Sequence, residues 1–159
     1  MTEPSPHRSS RLTVQSDWID YNGHLNMAFY NVLFDRGADE LFTVFGFGPE
    51  RAKATGFSTF SAEFHVCYLR ELHEGDGVYV TSQLLDFDEK RFHFYQELHH
   101  EDGWLSATGE GLGLHVDLAG PRVAPMPQDA LDAMRELHNA HAKLPWPERA
   151  GRRIGIAKK

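Results

Sequence analysis

The sequence has 159 residues and a formal net charge of −7, with 41% hydrophobic and 25% charged residues. This length suits one domain with a substantial core, and the composition is ordinary for a soluble globular protein. The acidic balance argues against nucleic acid as the main partner. No apolar run approaches the ~20 residues that span a bilayer, and the N-terminus lacks the apolar core of a signal peptide, so we expect a cytosolic protein without membrane contacts.

The two ends of the chain differ from its middle in composition. Residues 1–10 are rich in Ser and Pro and are predicted to be disordered. Residues 145–159 carry five basic residues against one acidic residue and are predicted to form a basic, flexible tail. Residues 11–144 are therefore expected to form the folded domain.

A polar loop precedes the most apolar segment of the chain. Asp20, Asn22, Gly23, His24 and Asn26 lie within residues 20–26. Asn22-Gly23 marks a tight turn because both residues tolerate positive φ. The loop therefore brings an acid, an amide and an imidazole close together.

A long helix is predicted directly after this loop. Asn26 is a suitable N-cap, and the helix should run to about Phe45, where Gly46 supplies a stop signal. Apolar residues cover most of its surface, so it should be largely buried. Its polar stripe at helical spacing includes Asn31, Asp35, Asp39 and Thr43. The first free N–H groups of the helix should lie beside Asp20 and His24, so the positive end of the helix dipole faces a carboxylate.

This juxtaposition has a chemical use. A carbonyl oxygen bound to helix N-terminal amides is polarised, and a carboxylate such as Asp20 can attack the carbon or deprotonate a water that does so. The alternative interpretation is that Asp20 and His24 only form hydrogen bonds that stabilise a tight loop. The residue pattern leaves both interpretations open.

From residue 57 onward the apolar residues recur with a period of two, which indicates β-strands. Phe60 and Phe64 are predicted on one face of the first long strand, and Glu63 on the other. Turn residues after each strand indicate hairpins and hence an antiparallel sheet. The predicted strands cover residues 57–68, 78–87, 92–98 and 104–117. A second helix is predicted over residues 128–144.

Three glycines lie on one face of the last strand, at Gly109, Gly111 and Gly113. Glycine weakens a strand and is often placed where another backbone must come close. We therefore expect the buried helix or a neighbouring subunit against this face. The order of elements predicts an α+β protein, in which an antiparallel sheet wraps around one long central helix and a C-terminal helix follows. This arrangement is called a hotdog fold.

Residues 20–26, with the sequence DYNGHLN, resemble the Asp-x-x-Gly-His-x-Asn signature of the 4-hydroxybenzoyl-CoA thioesterase-like group of hotdog proteins. The resemblance includes the following helix, Tyr68-Leu69 and the Gly75-Asp76 turn, and it covers residues 14–116. A narrower similarity is to the betainyl-CoA thioesterases of carnitine breakdown. Their sequences are similar to this chain in the DYNGH-x-N loop, in residues 63–65 (EFH) and in residues 114–117 (LHVD).

The resemblance implies roles for residues of the loop. Asp20 would be the acid that attacks the thioester carbonyl or activates water, and the N–H near Met27 would hold the developing oxyanion. His24 and Asn26 would orient substrate or water. Members of the group assemble as dimers or larger oligomers with the acyl-CoA site between subunits, so we expect a homodimer or homotetramer. Glu63 could then reach a partner's site and is the second candidate for the base.

The resemblance also implies which residues bind each part of the substrate. A betainyl group carries a quaternary ammonium, which has no hydrogen to donate and is best bound by aromatic faces. The aromatic candidates are Trp18, Tyr21, Phe60 and Phe64. Lys90 and Arg91, together with the basic tail, are candidates for binding the CoA phosphates.

Two other functions remain open. Hotdog hydratases and dehydratases usually carry Asp-x-Asn-Pro-x-His, whereas this chain lacks the proline and has one residue fewer between Asp20 and His24. A non-catalytic protein that binds an acyl thioester or a quaternary amine is the other alternative. No His-x-x-x-His pair or cysteine partner indicates zinc, so hydrolysis without a metal or other cofactor is expected.

Overall fold

The computed structural model describes residues 3–158. Its helices are α1 (Met27–Val44), α2 (Pro49–Thr55) and α3 (Gln128–His141), with a short 3-10 turn at Ser16–Trp18. Its strands are β1 (His7–Arg8), β2 (Leu12–Thr13), β3 (Phe57–Tyr68), β4 (Gly77–Phe87), β5 (Arg91–His100), β6 (Leu105–Asp117) and β7 (Arg122–Val123). No helix in the described chain is both long and apolar enough to cross a membrane.

All strand pairs in the sheet are antiparallel. The main strand order is β1-β4-β5-β6-β3, with β2 also on β4 and β7 also on β6. The strand β3 therefore lies at one edge and pairs only with β6 among the described residues.

Burial of α1 holds the sheet and helix together. Leu33, Phe34 and Leu41 are at most 1% exposed, and burial of each such side chain stabilises the fold by about 1.5–3 kcal/mol. At Gly37 a Cβ would lie 2.6 Å from the Cβ of Val80. The helix therefore packs so closely on β4 that only glycine fits at this point of contact.

The second helix of the core, α3, covers the far end of β4. A bulge interrupts the β4–β5 pairing between Leu84 and Asp86, which frees backbone groups from the sheet. His141 Nδ1 accepts the N–H of Leu84 at 2.9 Å, and His138 Nε2 lies 3.1 Å from the carbonyl oxygen of Leu85. Two histidines of α3 thus contact backbone groups of β4 at the bulge and directly before it.

The α+β prediction is confirmed, with an antiparallel sheet around a central helix and a C-terminal helix. The N-cap prediction is also confirmed, because the Asn26 side chain accepts the N–H of Ala28. The folded part begins earlier than the predicted boundary at residue 11, since His7 and Arg8 pair with β4. Residues 1 and 2 of the segment predicted to be disordered lie outside the described residues.

The C-terminal tail returns to the sheet. The N–H of Gly151 donates to both carboxylate oxygens of Glu110, at 2.7 and 2.9 Å. Near the start of the tail, the Gln83 side-chain amide donates to the Pro145 carbonyl at 3.4 Å. The tail therefore contacts β6 and β4, and its predicted flexibility stays a prediction.

The predicted assignment of side chains to the two faces of β3 is wrong for the residues before Ala62. A bulge shifts the β3–β6 register between Ser61 and Glu63, so Ala62 is the extra residue. Phe60 opposes Leu114 and Glu63 opposes Leu112, which places Phe60 on the face of Glu63 by register. A strict alternation of residues could not show this inserted position.

The prediction that the buried helix lies against the glycine face of β6 is confirmed at Gly109 and wrong at Gly111 and Gly113. A Cβ at Gly113 would overlap the ring of Phe92, and one at Gly111 the ring of Phe94. A Cβ at Gly109 would lie 2.6 Å from Cζ of Phe64 and 3.2 Å from Cδ1 of Phe34. Aromatic side chains of the neighbouring strands lie nearest to these glycines, together with the Phe34 ring of α1 at Gly109.

The buried His141 predicts a pH dependence of stability. Burial lowers its pKa from the ordinary value of 6.5, and Nδ1 must stay unprotonated to accept the Leu84 N–H. The unfolded chain therefore binds more protons than the folded chain below about pH 6.5. The stabilisation from neutral His141 is complete above that pH and is lost progressively as the pH falls toward the lowered pKa.

We expect the free energy of unfolding, measured with urea between about pH 8 and pH 5, to decrease as the pH falls. In His141→Gln, the side-chain carbonyl can still accept the Leu84 N–H, but it does not titrate. Its stability should therefore change less over the same range. Identical pH dependence in the two proteins would contradict this explanation.

Candidate active site

The loop before α1 is a closed turn. An isolated bridge joins Ile19 to Leu25, the Asp20 N–H donates to the His24 carbonyl at 3.1 Å, and the Gly23 N–H donates to the Asp20 carbonyl at 3.0 Å. Gly23 has a φ of 84°, in the left-handed region where glycine is favoured. These bonds fix the position of the Asp20 side chain relative to the helix that follows.

The Asp20 carboxylate has one oxygen engaged in the loop. Its Oδ1 accepts the N–H of Asn22 at 2.8 Å. Across residues 3–158, Oδ2 has no hydrogen-bond donor and the carboxylate has no ion-pair partner. The side chain lines a pocket of about 300 Å³ together with His24, Met27 and Tyr68. One oxygen of Asp20 therefore stabilises the loop, and the other is available to a reactant.

The start of α1 leaves one amide available. The Asn26 Oδ1 accepts the N–H of Ala28 at 2.9 Å, and the Asn26 carbonyl accepts the N–H of Phe29 at 3.0 Å. Among the described residues, no acceptor binds the N–H of Met27. This amide lies at the positive end of the helix dipole, and Met27 lines the same pocket as Asp20. A carbonyl oxygen docked on it would be polarised.

The predicted aromatic residues do not gather in this pocket. Trp18 stacks on Phe29 with ring centroids 5.8 Å apart, and the guanidinium of Arg36 lies 5.2 Å from its ring centroid. Tyr21 is 98% exposed. Trp18 therefore packs on α1, and Tyr21 contacts solvent in the single chain.

Glu63 lies in a different cavity from Asp20. It lines a cavity of about 980 Å³ on the outer side of the sheet, with His93, Glu110 and the tail residues Arg152 and Arg153. Met27 and Tyr68 line both this cavity and the pocket of Asp20. The two acids are therefore separated within one chain, although their cavities meet at the start of α1.

The comparison with known proteins identifies the family. The sequence profile of the thioesterase-like superfamily matches residues 14–134. The chain belongs to this superfamily. A betainyl-CoA thioesterase of Pseudomonas aeruginosa is 41% identical over 144 residues, which cover 90% of this chain and 91% of that protein.

Solved structures agree with this family. A hypothetical protein of Staphylococcus aureus in complex with CoA matches with a TM-score of 0.90 and 27% identity over 99% of both chains. A putative thioesterase of Pseudomonas putida KT2440 matches with a TM-score of 0.83 and 34% identity over 97% of this chain and 99% of that chain. The predictions of a hotdog fold and of a thioester hydrolase are confirmed. The roles of individual residues stay predictions.

Tyr68 and Arg70 line this pocket and were not among the predicted site residues. The Tyr68 hydroxyl donates to the Met27 carbonyl at 3.1 Å, and burial raises the pKa of Tyr68. Arg70 lines the pocket of Asp20 and places its guanidinium 3.9 Å from the ring centroid of Trp104. The only sequence signal for Tyr68 was its place in the Tyr-Leu pair of the family resemblance.

Lys90 and Arg91 lie at the β4–β5 hairpin tip and already have acidic neighbours. The Arg91 Nε donates to Asp88 at 2.7 Å, and this hydrogen bond lowers the pKa of Asp88. The Lys90 ammonium lies 3.6 Å from Glu89. Both cations are thus partly neutralised by the hairpin itself, and their binding of CoA phosphates stays a prediction.

The structure predicts that the Asn26 cap supports the site by fixing the first turn of α1. In Asn26→Ala, loss of the bond to Ala28 should cost about 1 kcal/mol of unfolding free energy and lower kcat, because the Met27 amide loses its fixed position. Asn26→Asp is the matched control, since aspartate caps a helix about as well. Urea unfolding and thioester hydrolysis measure the two effects. Equal loss of stability in both variants would show that capping is not the role of this side chain.

Proposed function

We propose that the chain hydrolyses the thioester bond of a short acyl-CoA whose acyl group carries a quaternary ammonium, with betainyl-CoA as the best-supported substrate. The observation that carries the proposal is that Asp20, whose carboxylate has one free oxygen, and Met27, whose N–H is free, line the same pocket. The 41% identity to a betainyl-CoA thioesterase supports the substrate.

The proposed reaction uses both groups on one carbonyl. The thioester oxygen accepts the Met27 N–H, and negative charge develops on that oxygen as the carbon is attacked. Either Asp20 Oδ2 attacks and the resulting anhydride is hydrolysed by water, or Asp20 takes a proton from a water that attacks. In both routes the C–S bond breaks, the CoA sulfur receives a proton, and the acyl group leaves as a carboxylate. Tyr68 donates to the Met27 carbonyl, in the peptide that follows the Met27 N–H, and so helps to hold the first turn of α1.

We infer that two copies of the chain assemble along β3. This strand is 12 residues long, and its outer edge has no strand partner within residues 3–158. Unpaired edges of long strands are sites of association, and Phe57, Phe60 and Tyr68 on β3 are 38%, 44% and 44% exposed. Light scattering of the purified protein tests this proposal, and a monomer at working concentration would contradict it.

The experiment for the catalytic proposal is release of CoA thiol from betainyl-, acetyl- and benzoyl-CoA. We expect Asp20→Asn to lower kcat by at least about 100-fold, the usual contribution of a positioned acid or base. Asp17→Asn is the control, because Asp17 is an exposed carboxylate outside the pocket. Its rate should stay close to that of the wild type.

Retention of most of the rate in Asp20→Asn would contradict the role of Asp20 and make Glu63 the main candidate for the base. Binding of acyl-CoA without thiol release from any thioester would favour the non-catalytic alternative. A preference for acetyl- or benzoyl-CoA over betainyl-CoA would contradict the substrate assignment while leaving the reaction intact.

A further inference from the structure

The C-terminal tail, residues 145–158, crosses the outer face of the sheet. It first contacts β4, and Trp146 then lies against His93 of β5, with ring centroids 6.5 Å apart. Further along, the N–H of Gly151 donates to both carboxylate oxygens of Glu110 on β6, at 2.7 and 2.9 Å. The tail therefore contacts β4, β5 and β6 in that order.

The tail packs closely enough on the sheet to exclude water. Tyr95 of β5 pairs with Glu110 by register and is only 4% exposed, and residues 145–147 of the tail lie around it. Gly151 has a φ of 74°, in the left-handed region that favours glycine. The segment that ends at the Glu110 carboxylate therefore has a defined conformation on the sheet.

Arg152 and Arg153 follow this contact directly and line the cavity of about 980 Å³, which we call the outer cavity. Both residues are exposed, and neither guanidinium has an ion-pair partner or hydrogen-bond acceptor among residues 3–158. In contrast, Lys90 and Arg91 at the hairpin tip have acidic neighbours. A guanidinium presents paired donors that match the oxygens of a phosphate. The two tail arginines are thus cations available to an anionic ligand.

The outer cavity joins these arginines to the start of α1. Met27 and Tyr68 line its other end, and His65, which pairs with Glu110, is three residues before Tyr68, or about 10 Å along the strand. The pantetheine arm of CoA has about thirteen bonds between its sulfur and its first phosphate, which span about 15 Å when extended. A CoA thioester bound at Met27 can therefore place its phosphates at the tail.

We propose that the C-terminal tail binds the phosphates of CoA through Arg152 and Arg153, and that Glu110 is a positioning residue that holds the tail at the outer cavity. This inference rests on the proposed thioesterase function and identifies the part of the chain that recognises the leaving group. The protein has a net charge of −7, so the basic tail offsets the repulsion between an acidic protein and an anionic substrate.

The remaining polar groups of the outer cavity suit the neutral arm of CoA. Glu63 has no hydrogen-bond donor in the described part of the chain, and the amide N–H groups of pantetheine are donors. Glu63 and His65 flank Phe64, which packs on Phe34 of α1, so alternation places both on the outer face. A second copy that pairs with the backbone edge of β3 leaves this face open.

The test compares one acyl group on two carriers, because betainyl-CoA carries the phosphates and betainyl-pantetheine does not. In the double variant Arg152→Gln/Arg153→Gln, we expect the KM for betainyl-CoA to rise about tenfold, the scale of two charge-assisted contacts at an exposed site. Its kcat should not change, because the reacting groups are untouched. Both constants for betainyl-pantetheine should equal those of the wild type, which also shows that the variant folds.

Lys53→Gln/Lys143→Gln is the matched control, because it removes two exposed positive charges that lie outside the outer cavity. Salt screens such distant charges. The KM of this control for betainyl-CoA should therefore stay close to that of the wild type. An equal rise in KM in the control and in the double arginine variant would mean that net charge, and not the tail, determines binding, which would overturn the proposal.

Glu110→Ala separates positioning from charge. Removal of a negative charge near the arginines would by itself strengthen the binding of an anion and lower the KM for betainyl-CoA. Loss of the contact with Gly151 should instead raise this KM, with hydrolysis of betainyl-pantetheine retained, and this is the result we expect. A lower or unchanged KM for betainyl-CoA would contradict the positioning role of Glu110.

An unchanged KM for betainyl-CoA in the double arginine variant, with hydrolysis continuing, would overturn the phosphate site. So would a rise in KM confined to Lys90→Gln/Arg91→Gln, which would assign the phosphates to the hairpin tip. Failure of the thioesterase proposal is distinct, because the wild type would then release no thiol from either substrate. Calorimetry with free CoA and pantetheine still tests the tail in that case: the double arginine variant should bind CoA about tenfold more weakly and pantetheine equally well.

Discussion

The free N–H of Met27 at the start of a buried helix is the group on which the proposed site depends. Burial of Leu33, Phe34 and Leu41 fixes α1 against the sheet, and the Asn26 side chain satisfies the Ala28 N–H. The helix therefore presents the Met27 amide at a fixed place, at its positive end. The closed loop before it holds the Asp20 carboxylate in the same pocket.

The edge strand β3 links this amide to the rest of the site. At its end, Tyr68 donates to the Met27 carbonyl, and nearer its middle Phe64 lines a cavity of about 480 Å³ between α1 and β3. The bulge at Ala62 reverses the alternation of side chains, so Glu63 lines the outer cavity with Arg152 and Arg153. One strand thus borders both cavities, and Phe64 lines the two of them.

Features that depend on neighbours in the chain could be predicted from the sequence. The cap at Asn26, the start of α1 and the grouping of Asp20, His24 and Met27 follow from residues 20–27, where short-range hydrogen bonds decide the structure. The sequence of hairpins predicted the antiparallel sheet for the same reason. The resemblance to thioesterases rested on this same local segment, and the family was confirmed.

Features that depend on distant packing could not be predicted in this way. The bulge at Ala62 is an inserted residue that alternation does not show, and it moved Phe60 to the face of Glu63. The glycines of β6 indicated a close neighbour, but only the structure shows that the rings of Phe92 and Phe94 fill the space. Trp18 and Tyr21 flank the catalytic candidate in sequence, yet one packs on Phe29 and the other faces solvent.

The most direct measurement of the central claim is a crystal structure of the Asp20→Asn protein with intact betainyl-CoA. We expect the thioester oxygen within about 3.2 Å of the Met27 backbone nitrogen, with the substituted side chain at position 20 beside the carbonyl carbon. A thioester bound with its carbonyl next to Glu63 in the outer cavity, and with no contact to the Met27 amide, would contradict the claim.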